Sequence, residues 1–128
     1  MKRKPLVLCR ATLHHALDMA REGRLIVLHG MGAEKAGTEF YVKESFYYVE
    51  PEKESVCGQT YTISGDYTVF RADDDPHYEF TGIWKPAQSM KEEDSRLLLT
   101  VVATHQHVTY AGDHEDFAVC KADLRLGR

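Results

Sequence analysis

The sequence predicts an α+β fold: one main N-terminal helix packed on a curved, mostly antiparallel sheet of about six to eight strands. Three observations lead there. Residues 12–22 carry the 3.6-residue apolar period of a helix. Eleven of the 13 aromatic residues fall between Phe40 and Trp84, and aromatic and β-branched side chains suit a pleated, half-buried surface. The chain has 128 residues, the usual span of one domain and enough to bury a core without a metal or a disulfide.

The elements follow in chain order. Residues 6–9 read as a short first strand. In the helix, Thr12 is the expected N-cap, and Leu13, Ala16, Leu17 and Ala20 form one apolar stripe. Gly23 stands where a helix-terminating glycine belongs. Leu25-Ile26-Val27-Leu28 suits a buried strand. Residues 38–49 alternate, with Phe40, Val42, Phe46 and Tyr48 on one face and Tyr41, Lys43, Ser45 and Tyr47 on the other. Pro51-Glu52-Lys53-Glu54 reads as a solvated turn. Gly65-Asp66 between two alternating runs is hairpin chemistry, and predicts Ile63 opposite Thr68 and Tyr61 opposite Phe70. Asp73-Asp74-Asp75-Pro76 is a loop, and residues 78–85 are a strand stopped by Pro86. Ser89-Met90-Lys91-Glu92 matches a capping box and predicts a helical turn. Residues 96–104 read as a central strand, apolar on both faces, because Thr100, Val101, Val102 and Thr104 are β-branched. A shorter strand near 107–110, a turn at 111–113 and a strand over 117–120 complete the chain.

Composition excludes several classes. Hydrophobic residues make up 43% and charged residues 28%, which does not fit a disordered chain, a collagen or a coiled coil. The net charge is −4, so a polycationic nucleic-acid binder is not expected. The total is unevenly spread: residues 1–24 carry +4, residues 73–116 carry −7. The apolar run Leu6–Cys9 is too short for a signal peptide, and Leu97–Ala103 is too short for a membrane helix. Cys9, Cys57 and Cys120 show no CxxC or zinc spacing, so reduced thiols and a cytoplasmic location are expected.

The histidines form the sharpest motif. In an extended chain His105 and His107 share a face, and His114 or Asp113 could complete a set for a divalent transition metal such as zinc or iron, with Glu115 or Asp116 in support. A helix through the same residues would set the two imidazoles about 200° apart. The plainer reading is a polar strand end beside a turn. Gly30, Gly32 and Gly37 space a strand-to-strand connection that matches no phosphate-binding fingerprint, so a flexible loop is expected. No nucleophile elbow is present.

The leading functional expectation is a small acidic binding or regulatory protein, of accessory or inhibitor type, with no chemistry and no cofactor of its own. Asp73, Asp74, Asp75 and Glu79, with Tyr41, Tyr47, Tyr67 and Trp84, would meet a protein partner of basic surface, or the aromatic sheet would form a homodimer. One alternative is a metal-dependent enzyme or ligand binder built on His105, His107 and His114. A second is a nucleotide or nucleic-acid ligand held by the basic N-terminal segment, ranked lower because only Arg10, Arg21 and Arg24 of that segment belong to ordered structure; nucleic acid is not an expected partner. No membrane association is expected.

Overall fold

The computed structural model describes residues 2–49, 53–62, 67–73, 83–108 and 110–125, with backbone alone at 49, 53–56, 60–62, 67 and 114. The elements are β1 (Lys4–Val7), α1 (Arg10–Glu22), β2 (Leu25–His29), β3 (Glu39–Lys43), β4 (Phe46–Val49), β5 (Lys53–Val56), β6 (Gln59–Thr62), β7 (Tyr67–Phe70), β8 (Leu97–Val108) and β9 (His114–Leu124). The α+β class is observed. A five-stranded sheet runs in the order β1-β3-β8-β9-β2, and β4-β7 and β5-β6 form two-stranded ribbons. The sheet is mixed, since β1 lies parallel to β3 while its other pairs are antiparallel. It is open, with β1 and β2 at its edges.

The helix starts two residues before the expected one. Cys9, extended at φ −65° and ψ 160°, is the N-cap, and its carbonyl accepts the first helical bond from the Leu13 N–H at 2.8 Å. Thr12 therefore sits inside the first turn, with Oγ1 3.0 Å from Cys9 Sγ. The other end follows expectation. Gly23 takes the left-handed conformation at φ 68°, and the Gly23 and Arg24 N–H groups donate to Ala20 and Met19. Only glycine enters that region without a Cβ penalty.

Leu13, Ala16 and Leu17 pack on one face of the sheet, against Ile26, Leu28, Phe40, Val42, Leu97, Leu99, Val101, Ala118, Cys120 and Ala122. Strand side chains alternate, so the intervening residues face away from α1. Leu25, Val27 and Val102 are about half exposed there. Two expectations are corrected by this. The run at Leu25–Leu28 is buried on one face only, and so is β8, although β8 is central as expected. A single helix covers a single face. The one irregularity in the β8–β9 ladder falls between Val101 and Ala103.

The expected strand over 38–49 is two strands. β3 ends at Lys43 and β4 begins at Phe46. Glu44 between them is buried, and the Ser45 carbonyl accepts from the Arg71 N–H at 3.0 Å. The break sends Phe40 and Val42 into the main core, while Phe46 packs with Phe70 and Met90 in a second cluster. Tyr48 stays exposed.

The Gly65-Asp66 hairpin register is not observed. Residues 63–66 lie outside the described residues, but Phe70 pairs with Phe46 and Tyr61 with Glu54. β5 and β6 are nested between β4 and β7 instead, and their two-residue turn is Cys57-Gly58, both at positive φ (53° and 80°). That is type I′ geometry, which twists with the strands it joins. Cysteine is not a turn former, so sequence alone missed it.

Three smaller expectations also change. The capping box is not formed: Ser89 ends one short 3₁₀ turn (Ala87–Ser89), its hydroxyl donating to the Pro86 carbonyl at 2.8 Å, and Glu92 opens another (Glu92–Asp94). The separate strand near 107–110 is the continuation of β8 to Val108. The glycine-rich loop is pinned rather than free. Gly30 N–H donates to the Asp116 carbonyl at 2.9 Å and Gly37 N–H to Val101 at 2.7 Å, while Gly32 N–H donates to the Asp116 carboxylate. The expected strand over 78–85 lies mostly outside the described residues, with Lys85 bridging to Phe46.

Candidate functional site

The strongest polar feature of the interior is an ion-pair network that sequence reasoning did not find. Arg96, just before β8, donates from Nε and Nη2 to the two carboxylate oxygens of Glu44 at 3.0 and 2.9 Å. Its Nη1 donates to Asp73 at 2.7 Å, and its guanidinium lies over the Phe70 ring at 4.1 Å. The Glu44 side chain is completely buried. Burial pushes its carboxyl up, with the hydrogen bonds from Arg96 pulling the other way. Burial also works against the charge of Arg96, but its bonds to Glu44 and Asp73 outweigh that and push it up. The arrangement locks the β3–β4 break to the start of β8 and to the turn at 71–73. The signal in the sequence was faint: one arginine ahead of a long apolar run and one glutamate inside an alternating pattern.

This network changes the standing of the acidic residues. Asp73 is bound to Arg96 and lies 3.7 Å from Arg21, so its carboxylate is committed within the fold. Asp74, Asp75 and Glu79 lie outside the described residues. The aromatic residues do not share one sheet. Tyr41 belongs to β3, Tyr47 and the backbone of Tyr67 to the β4–β7 ribbon, and Trp84 to the segment after it. Tyr41, Tyr47 and Trp84 are each half-buried.

β8 is extended through 105–107, so His105 and His107 do point to the same face, as expected for a strand. Their ring centroids are 6.1 Å apart. His105 is engaged elsewhere: it stacks on Phe117 at 4.9 Å, and Nε2 lies 3.3 Å from Glu115 Oε2. The side chain of His114 is not among those described. No group of three or more His, Cys, Asp or Glu among the described residues is placed to hold a metal ion.

The face of the sheet away from α1 offers another surface. Its rows follow from the register. His29 opposes Phe117, which opposes His105; Val27 opposes Val119, which opposes Ala103; Leu25 opposes Lys121, which opposes Thr100. Beyond the His105–Phe117 pair, where β2 ends, the β8–β9 hairpin continues as a ribbon of mostly exposed residues, with Val108 about half exposed and Tyr110 fully so. No lysine or arginine occurs between Leu97 and Cys120, whereas Asp113, Glu115 and Asp116 all fall there. A surface with one apolar row, Val27, Val119 and Ala103, and an acidic tip has no evident chemistry, but it has the composition of a contact surface. No helix is long and apolar enough to cross a membrane among the described residues. Comparison with family models, with curated proteins and with solved structures finds no match.

Proposed function

We propose that the protein is a non-catalytic binding module that takes a partner protein of basic surface on the uncovered face of its sheet and along the β8–β9 hairpin. One observation carries this reading: large apolar side chains at Leu25, Val27, Val102, Val108 and Tyr110 stand exposed on that face and hairpin. Scattered singly such residues mean little, but Leu25, Val27 and Val102 share one face of the sheet, which favours contact with another surface. The absence of Lys and Arg from Leu97 to Cys120 gives the hairpin its acidic sign. A basic partner is steered to such a patch, and the steering weakens as salt screens it. Asp73 is not part of this contact, because its carboxylate is bound to Arg96 inside the fold.

The test compares capture by the immobilised protein, from a lysate of its source cells, with capture by two variants, Val27→Lys and Tyr110→Ser. The expected result is a discrete basic protein, identified by mass spectrometry, retained at low salt, weakened as salt rises and lost with both variants. Capture that ignores salt and both substitutions would overturn the reading. A dimer in sedimentation that both substitutions abolish would replace the partner with a second copy of the chain.

A further inference from the structure

A cavity of about 320 Å³ opens between the start of α1, the end of β3 and the turn at 71–73. Arg10, His14, Lys43 and Arg71 line it. These come from three separate elements, so their convergence is a product of the fold. Arginine pairing elsewhere makes the cluster distinctive. Of the seven arginines with described side chains, Arg3, Arg21, Arg24, Arg96 and Arg125 each pair with a carboxylate. Arg10 and Arg71 have no ion-pair partner among the described residues, and both line this one cavity. Lys43 Nζ donates to the Gln88 carbonyl at 3.0 Å, which holds its ammonium near the cavity without neutralising it.

Glu44 also lines the cavity. Both its oxygens are turned to Arg96, so its charge is met from behind. The first turn of α1 contains no acidic side chain, and the helix dipole adds a favourable field for negative charge there. Arginine forks match the tetrahedral oxygens of a phosphate, and a lysine adds a point charge. The volume lies at the small end of ligand pockets. It has room for a phosphate with a modest organic body and not for a nucleic-acid strand.

We propose that this cavity binds a small phosphomonoester, its phosphate held by Arg10 and Arg71 with Lys43 beside them. The proposal is independent of the partner-binding face, which lies on the other side of the sheet from α1.

The experiment is calorimetric titration of the full chain with inorganic phosphate and, separately, with adenosine 5′-monophosphate, at matched ionic strength in chloride. Saturable binding of either anion at one site is expected, with Arg10→Gln and Arg71→Gln each weakening it roughly tenfold or more. Tighter binding of the nucleotide would assign the organic body a role in the cavity. Equal binding would assign recognition to the phosphate alone. Arg24→Gln, at the far end of α1 and paired with Glu22, should leave affinity unchanged. Both cavity arginines are exposed, so unliganded variants should melt with the parent protein, which separates lost binding from lost folding. No saturation by either anion, or equal loss in the Arg24→Gln control, would overturn the proposal.

Discussion

A single guanidinium shows how much one residue can carry. Arg96 satisfies both oxygens of a fully buried glutamate and a second carboxylate at once. Removing it leaves Glu44 charged and unpaired in a dry site, a situation that typically costs about 3–5 kcal/mol. Arg96→Met should therefore lower the unfolding free energy, measured by urea denaturation, by that amount. Arg96→Lys should recover only part, since an ammonium cannot span both oxygens with a planar fork. Cys9 gives a residue-scale prediction of another kind. Its hydrogen bond with Thr12 draws the thiol below the ordinary thiol range. A lowered value means more thiolate at a given pH, so alkylation of Cys9 should rise at lower pH than for a free thiol. Thr12→Val removes the hydroxyl and should move that profile upward; an unmoved profile would show that the hydroxyl does not act on the sulfur.

At the scale of elements, alternation decides which changes are tolerated. Ile26 is buried under α1 and Val27, the next residue, is about half exposed on the opposite face. Ile26→Ala should cost about 2–5 kcal/mol, whereas Val27→Lys should stay within about 0.5 kcal/mol, both measured by chemical denaturation. The reverse order would mean that the face away from α1 is covered. The loop between β2 and β3 depends on a close approach at Gly32. A Cβ there would fall on the Asp116 carboxylate and on the His105 carbonyl. Backbone cannot swing aside like a flexible side chain, so Gly32→Ala should destabilise the fold by about 1–3 kcal/mol and loosen hydrogen-exchange protection at the Gly30 amide. The same contact explains why a glycine-rich connection, which reads as flexible, is instead fastened to β9.

For the whole molecule, the division between one buried face and one open face is the governing fact. The thiols report it. Cys9 and Cys57 are exposed, and Cys120 is buried between β2 and β8, where burial pushes its thiol up. Two thiols should titrate rapidly in the native protein, and the third only as fast as the whole domain opens. Ile26→Ala should speed the third and leave the other two unchanged. Charge also reads differently at this scale. The basic N-terminal segment is largely neutralised from within, since Arg3 pairs with Glu39 and Glu92, Lys4 with Glu34, and Arg21 with Asp18 and Asp73. The uneven charge map of the sequence is thus partly a map of internal partners. Among the described residues, Arg10 and Arg71 at the cavity carry basic charge without an ion-pair partner.

Local rules determined what local interactions control. The 3.6-residue stripe of Leu13, Ala16 and Leu17, the stop at Gly23, and the β-branched run that makes β8 a strand were all legible, because each depends on neighbours within a few residues. Strand geometry also put His105 and His107 on one face without any knowledge of the fold. Pairing was not legible. That β7 joins β4 rather than β6, that a Cys-Gly turn closes the inner ribbon, and that Glu44 meets Arg96 are contacts between residues far apart in the chain. Their free energy comes from burial and desolvation, which exist only once the partners are assembled. The same holds for the cavity, whose arginines lie 61 positions apart in the sequence. Sequence settled the elements and the class; the tertiary structure decided which face stays open and which charges remain unpaired, because both depend on what packs against what.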